Sequence, residues 1–181
     1  MEENIKYPKF TASMRKTHTI LIPNMLEIHM TLFESILLQN GYKVEICRNE
    51  GPEVVEEGLK YVHNDTCYPA LLVIGQFIDN LNHRDDLDKV VGVITQTGGG
   101  CRASNYIHLL RKALKKAGYG YIPVVSLNAS NLEPDSGLKL DLKMIKKLAA
   151  AMTYGDMLMY LGNKTRSYEI QKGDAHKLTF D

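Results

Sequence analysis

Four short runs of apolar, largely β-branched residues alternate with stretches of helical period, and that alternation leaves the chain few architectures. Residues 18–22 form the first run, stopped by Pro23-Asn24; 43–47, 90–95 and 121–127 supply the other three. Leu26, Met30, Phe33, Ile36 and Leu37 recur at helical spacing, so 26–39 reads as a helix closed by Asn40-Gly41. Residues 52–62 read as a second helix, with Pro52 in its first turn and Glu53, Glu56 and Glu57 early in it. Pro69 near a helix start marks 70–82 as a third, 102–116 is a fourth, and 138–161 forms one long helix or two shorter ones. Strands that alternate with helices need crossover connections, hence a parallel sheet covered on both faces. Continuous apolar strands are what such a buried sheet requires. The expected fold class is α/β: a Rossmann-like or flavodoxin-like three-layer sandwich with a roughly four-stranded parallel sheet. Residues 17–162 are expected to form this domain, with an N-terminal peripheral segment 1–16 and a polar C-terminal tail 163–181.

The 181 residues are enough for one domain with a real core. A formal net charge of +1 gives no electrostatic basis for a nucleic-acid or membrane partner, and neither is expected. No apolar run is long enough for a transmembrane helix, and the polar N-terminal stretch has no signal-peptide core, so the expected location is cytoplasmic. Three cysteines, Cys47, Cys67 and Cys101, are too few and too scattered for a secreted disulfide scaffold. In a reducing compartment they are thiols or metal ligands. An odd count leaves no complete four-cysteine site in one copy of the chain.

Ligands of open parallel sheets gather beyond the carboxyl ends of the strands. The loops expected there are Pro23-Asn24-Met25, Cys47 to Gly51, Gln96 to Arg102, and Asn128 to Asn131. The third holds Gly98-Gly99-Gly100-Cys101-Arg102 between a strand and a helix. A glycine-rich turn into a helix aims backbone N–H groups and a positive dipole end at one point, and a cysteine at such a point favours its thiolate. The turn matches neither G-x-x-x-x-G-K-S/T nor G-x-G-x-x-G. An anion held on bare N–H groups and a small residue packed under the helix both stay open as readings of Cys101. Cys67 has a similar setting, before a proline-started helix and after polar Asn64, Asp65 and Thr66. Helix starts and N–H···S bonds stabilise anionic iron–sulfur clusters. Cys47 ends a strand and reads as core, with a role as an additional ligand the lesser reading. His63 and His108 read as solvated or core histidines, and Arg111-Lys112 with Lys115-Lys116 as a solvated helix face.

The stretch 58–70, containing His63-Asn64-Asp65-Thr66-Cys67-Tyr68-Pro69-Ala70 and followed by Gly75-Gln76, resembles one family. So does Gln96-Thr97-Gly98-Gly99-Gly100-Cys101-Arg102-Ala103-Ser104-Asn105-Tyr106. It is the activase-related group of the 2-hydroxyacyl-CoA dehydratase-like proteins, and the likeness runs over 17–168. The resemblance implies Rossmann-like lobes holding an iron–sulfur cluster, of 4Fe-4S or double-cubane type, reduced by an ATP-dependent activase. It implies Cys67 and Cys101 as cluster ligands, with Asn64, Asp65, Gln96, Thr97, Gly98, Gly99, Gly100 and Arg102 around them. Such relatives are longer and carry further cysteine-bearing lobes. The implied cluster is therefore shared with or completed by a partner: an activase, a second cysteine-bearing lobe or subunit, or another copy in a hetero- or homo-oligomer. An acyl-CoA is the implied substrate class. The expected function is thus a cluster-binding component of a low-potential electron-transfer system, not a complete enzyme alone. Two other readings of the residues stand beside it: a cluster-free interaction lobe, and a small anion- or nucleotide-binding module built on Gly98 to Gly100.

Overall fold

The structure, a computed structural model, describes residues 7–63, 65–95, 102–127, 138 and 140–180. The described chain divides into two compact units, Met1–Asn24 with Gly41–Lys139, and Met25–Asn40 with Leu140–Asp181.

The first unit carries the sheet. Its strands are β1 (Thr19–Pro23), β2 (Lys43–Cys47), β3 (Val90–Thr95) and β4 (Val124–Leu127), all parallel in the order β2-β1-β3-β4. Four parallel strands with helices between them place the chain in the α/β class, as in Rossmann- and flavodoxin-like sandwiches. Pro23 lies level with Cys47, and Thr95 with Leu127, so these four residues mark the carboxyl edge. The order reverses between β1 and β3, and the chain leaving β3 at Thr95 departs from that switch point.

Helix α2 (Pro52–Tyr61) packs along α3 (Tyr68–Asn82), and α4 (Tyr106–Lys116) follows β3. α3 is buried on most sides because it lies between α2 and the sheet: Leu71, Ile74, Phe77, Ile78 and Leu81 are all in the core. Two glycines permit the α2–α3 approach. A Cβ on Gly75 would lie 1.9 Å from the Val54 carbonyl oxygen, and one on Gly58 would lie 2.6 Å from the Leu71 oxygen. On the sheet side, a Cβ on Gly92 would come within 2.7 Å of the Phe77 ring. The α3 helix is therefore wedged at a fixed height above β3.

The second unit consists of α1 (Glu27–Gln39), α5 (Leu142–Arg166) and α6 (Asp174–Phe180). The expected long helix is a single one, starting at an Asp141 cap whose carboxylate accepts from the Met144 N–H at 2.6 Å. His29, buried on α1, bonds Asp156 of α5 at 3.0 Å and packs on Gly155. Residues 163–181, read as a tail, contain the end of α5 and then α6, whose start is tied down by Glu169 accepting from the Gly173 and Ala175 N–H groups.

Other boundaries differ locally. The α3 helix begins at Tyr68, which makes Cys67 its cap residue. The helix expected from Arg102 opens instead as one 3-10 turn, Arg102–Asn105, before α4. The strand expected from Tyr121 begins at Val124, because Ile122 donates to the Tyr119 carbonyl in a turn. Among the described residues, no helix is long and apolar enough to cross a membrane.

Candidate functional site at the starts of two helices

Cys67 occupies the cap of α3 in an extended conformation (φ −60°, ψ 144°). Its carbonyl accepts from the Ala70 and Leu71 N–H groups at 3.0 and 3.2 Å, which starts the helix. Its side chain makes no capping bond to the helix's N–H groups. The residue is half-buried and free of any disulfide. A tight turn leads into it, with Thr66 donating to the His63 carbonyl at 2.9 Å.

The Cys67 sulfur lies 3.5 Å from the hydroxyl of Tyr106. Tyr106 is the first residue of α4 and is buried, so a residue 39 positions away brings the start of one helix against the start of another. A buried tyrosine hydroxyl takes a hydrogen-bond partner, and a sulfur at a helix start is the natural site for negative charge. The thiol of one helix cap thus stands against the phenol carried by the first residue of another helix. Arg102 belongs to the 3-10 turn that runs into Tyr106. The Asp65 carboxylate is exposed and stands 3.3 Å from His63 Nδ1, also exposed.

Cys101, Gln96, Thr97, Gly98, Gly99, Gly100 and Asn64 lie outside the described residues. Cys47 sits elsewhere, as the last residue of β2 and fully buried. Burial first, and then the Glu45 carboxylate, push its thiol far above the usual cysteine range. It is therefore a protonated core residue, inert as a nucleophile and poorly placed as a thiolate donor. Among the described residues, no group of three or more His, Cys, Asp or Glu side chains is arranged to hold a metal ion.

A second polar cluster lies at the carboxyl edge. The Asn24 N–H donates to Gln76 Oε1 at 2.7 Å, and Gln76 Nε2 donates to the Asn49 carbonyl at 2.9 Å. Asn49 Nδ2 donates back to the Gln76 carbonyl at 2.9 Å and to Asp79 Oδ2 at 2.7 Å. The loops after β1 and β2 are thereby locked onto α3. Sequence reading placed Asn24 and Asn49 at this edge by the strand rule. It missed their partnership with Gln76, and that of Cys67 with Tyr106, because both join residues far apart in the chain. The polar Gln76 and Asp79 within the otherwise apolar stretch 70–79 were the one available signal. No protein-family model, curated protein or solved structure matches the chain.

Proposed function

We propose that this chain is an iron–sulfur cluster-binding subunit or domain, related to the 2-hydroxyacyl-CoA dehydratases and served by an ATP-dependent activase in low-potential electron transfer. Cys67 and Cys101 are the proposed ligands. The observation that carries the reading is the half-buried Cys67, at the cap of one helix, with its sulfur 3.5 Å from the hydroxyl of the first residue of another. The donor chemistry fits one corner of a cluster: a cysteine sulfur at a helix cap and a phenol O–H that can donate to sulfur. Cys101 directly precedes the 3-10 turn Arg102–Asn105 in sequence. Cys47 is excluded from the proposed set by its burial, so the remaining ligands come from a partner subunit or a second copy. When bound, the cluster supplies one-electron transfer at low potential. The chain's own part is to orient Cys67, shield it with Tyr106 and offset the cluster's negative charge. A reducing, cytoplasmic location accompanies the proposal, because free thiols serving a cluster need one.

The test is anoxic reconstitution of the chain, alone and with co-expressed genomic neighbours, followed by iron and sulfide analysis and visible spectra. Loss of iron in Cys67→Ser and Cys101→Ser, but not in Cys47→Ala, is the expected result. Unchanged cluster content in both serine variants of the assembled complex overturns the assignment. One observation favours a second reading, a cluster-free interaction lobe: α5 exposes Met152, Tyr154, Met157 and Tyr160. That reading predicts partner binding with no iron in any preparation.

A further inference from the structure

α5 is apolar on its outer side as well as on the side that packs within its unit. The inner side lies on α1 and α6, with Met144, Ala151 and Gly155 buried. Between residues 148 and 163 the helix carries a single charge, Asp156, and that carboxylate is bonded to His29 at 3.0 Å. On the outer side, Lys146, Ala149, Thr153, Met157, Tyr160 and Lys164 follow one another at steps of three and four residues. They therefore form one line along the helix, and every one of them is exposed. Met152 flanks the line on one side, Tyr154 and Leu161 on the other, each about half exposed. A helix that is apolar on both sides has a second partner to meet.

The middle of this line is low and its ends are charged. Ala149 offers only a methyl group, and the Thr153 hydroxyl donates to the Ala149 carbonyl at 3.3 Å, so its polar atom is used within the helix. Small residues at a contact let a second helix axis come close. Lys143 and Lys146 stand at one end and Lys164 at the other, and none of the three is in an ion pair among the described residues. Lys164 lies instead over the Tyr160 ring, 4.8 Å from its centre. From Lys146 to Lys164 the line runs about 27 Å at 1.5 Å per residue, or about five turns. The charges decide between occupants. A second copy of the chain, paired parallel or antiparallel, would set lysine against lysine at both ends, which is repulsive. A helix that lies on lipid carries its charges on the face opposite its apolar one, and that face of α5 is packed on α1 and α6. An acidic-ended helix satisfies both the low middle and the unpaired cations.

We propose that the outer face of α5 docks one helix of a partner protein, about five turns long, with an apolar stripe and carboxylates toward both ends. The stripe packs over Ala149, Thr153 and Met157, and the carboxylates meet Lys146 and Lys164. No cysteine takes part, so the face works with or without a cluster, and failure of either proposal leaves the other standing.

Fluorescence anisotropy on the full chain tests this, with two labelled synthetic helices of about 20 residues as probes. Both carry the same leucine and alanine stripe; one has glutamates at its ends and the other lysines. The acidic peptide should bind saturably and at least about tenfold more tightly than the basic one, and less tightly as salt is raised. Lys146→Glu combined with Lys164→Glu should reverse that preference. Ala149→Gln, an exposed change to a good helix former, should keep the parent's Tm and weaken the acidic peptide about tenfold by raising the low middle. The proposal fails if the acidic peptide shows no saturable binding up to about 1 mM, if the two peptides bind alike, or if the double lysine variant keeps the parent's preference. It also fails if sedimentation shows a dimer that Ala149→Gln dissociates, which makes a second copy the occupant. Binding to phosphatidylserine vesicles that Ala149→Gln weakens, with no binding of either peptide, overturns it in favour of lipid.

Discussion

Replacing Gly75 by alanine tests the contact that sets the height of α3, and with it the position of Cys67. The added Cβ would stand 1.9 Å from the Val54 carbonyl oxygen and 2.8 Å from the Gly58 nitrogen. A carbon–oxygen contact settles near 3.3 Å or more, so α2 and α3 must separate by more than about 1 Å. The obstruction is backbone, which no rotamer change relieves. Overpacking of this kind costs about 3 kcal/mol at the upper end of its usual range. Alanine's better helix propensity returns about 1 kcal/mol, and the displaced Ile74 and Phe77 lose packing in turn. A net loss of about 2–3 kcal/mol follows, or roughly 4–12 °C in Tm for a chain of this size. Urea unfolding monitored by circular dichroism measures it, the midpoint falling while the slope stays constant. Gly58→Ala, whose nearest clash is 2.6 Å, should lose less. A Gly75→Ala protein within about 0.5 kcal/mol of the parent would refute the close approach.

The fate of the two described thiols follows from burial. In the folded protein, Ellman's reagent should modify Cys67 within minutes and leave Cys47 untouched until urea is added. The raised Cys47 thiol also makes stability depend on pH. Its contribution is fully present below the ordinary thiol value of about 8.5 and is lost as pH rises above it, by up to about 1.4 kcal/mol per pH unit. The difference between parent and Cys47→Ala unfolding curves from about pH 8 to about pH 10, which spans the ordinary thiol value, isolates that slope; parallel curves would contradict it. Asp141→Ala removes the α5 cap and should cost about 1 kcal/mol in urea unfolding.

The sheet was legible because most strands are nearly continuous apolar runs bounded by turn residues, and 43–47 and 90–95 are the observed bounds of β2 and β3. Helix starts were less legible. Pro69 signalled a start, but a proline tolerates the first or second position, and the structure uses the second. At Arg102 the sequence gave no sign that the chain would open as a 3-10 turn before the α-helix. The helical character of 174–180 was hidden by polarity, since only Ala175 is buried there and Glu169 secures the turn from outside. At the site, the cysteines could be read from their place before helices. Tyr106 and Gln76 could not, because their partners lie 39 and 52 residues away and no local period records such pairs. The division of α1 and α5 into a unit apart from the sheet is also a long-range property, set by their mutual packing through His29 and Gly155.

The central claim is that the Cys67 sulfur bonds to iron, and X-ray absorption at the iron edge reads that bond directly. On anoxically reconstituted protein with its partner, the account predicts a sulfur-only first shell for the parent and, in the smaller amount of iron that Cys67→Ser retains, a mixed sulfur and oxygen shell. Superimposable spectra, at equal iron content, would contradict it.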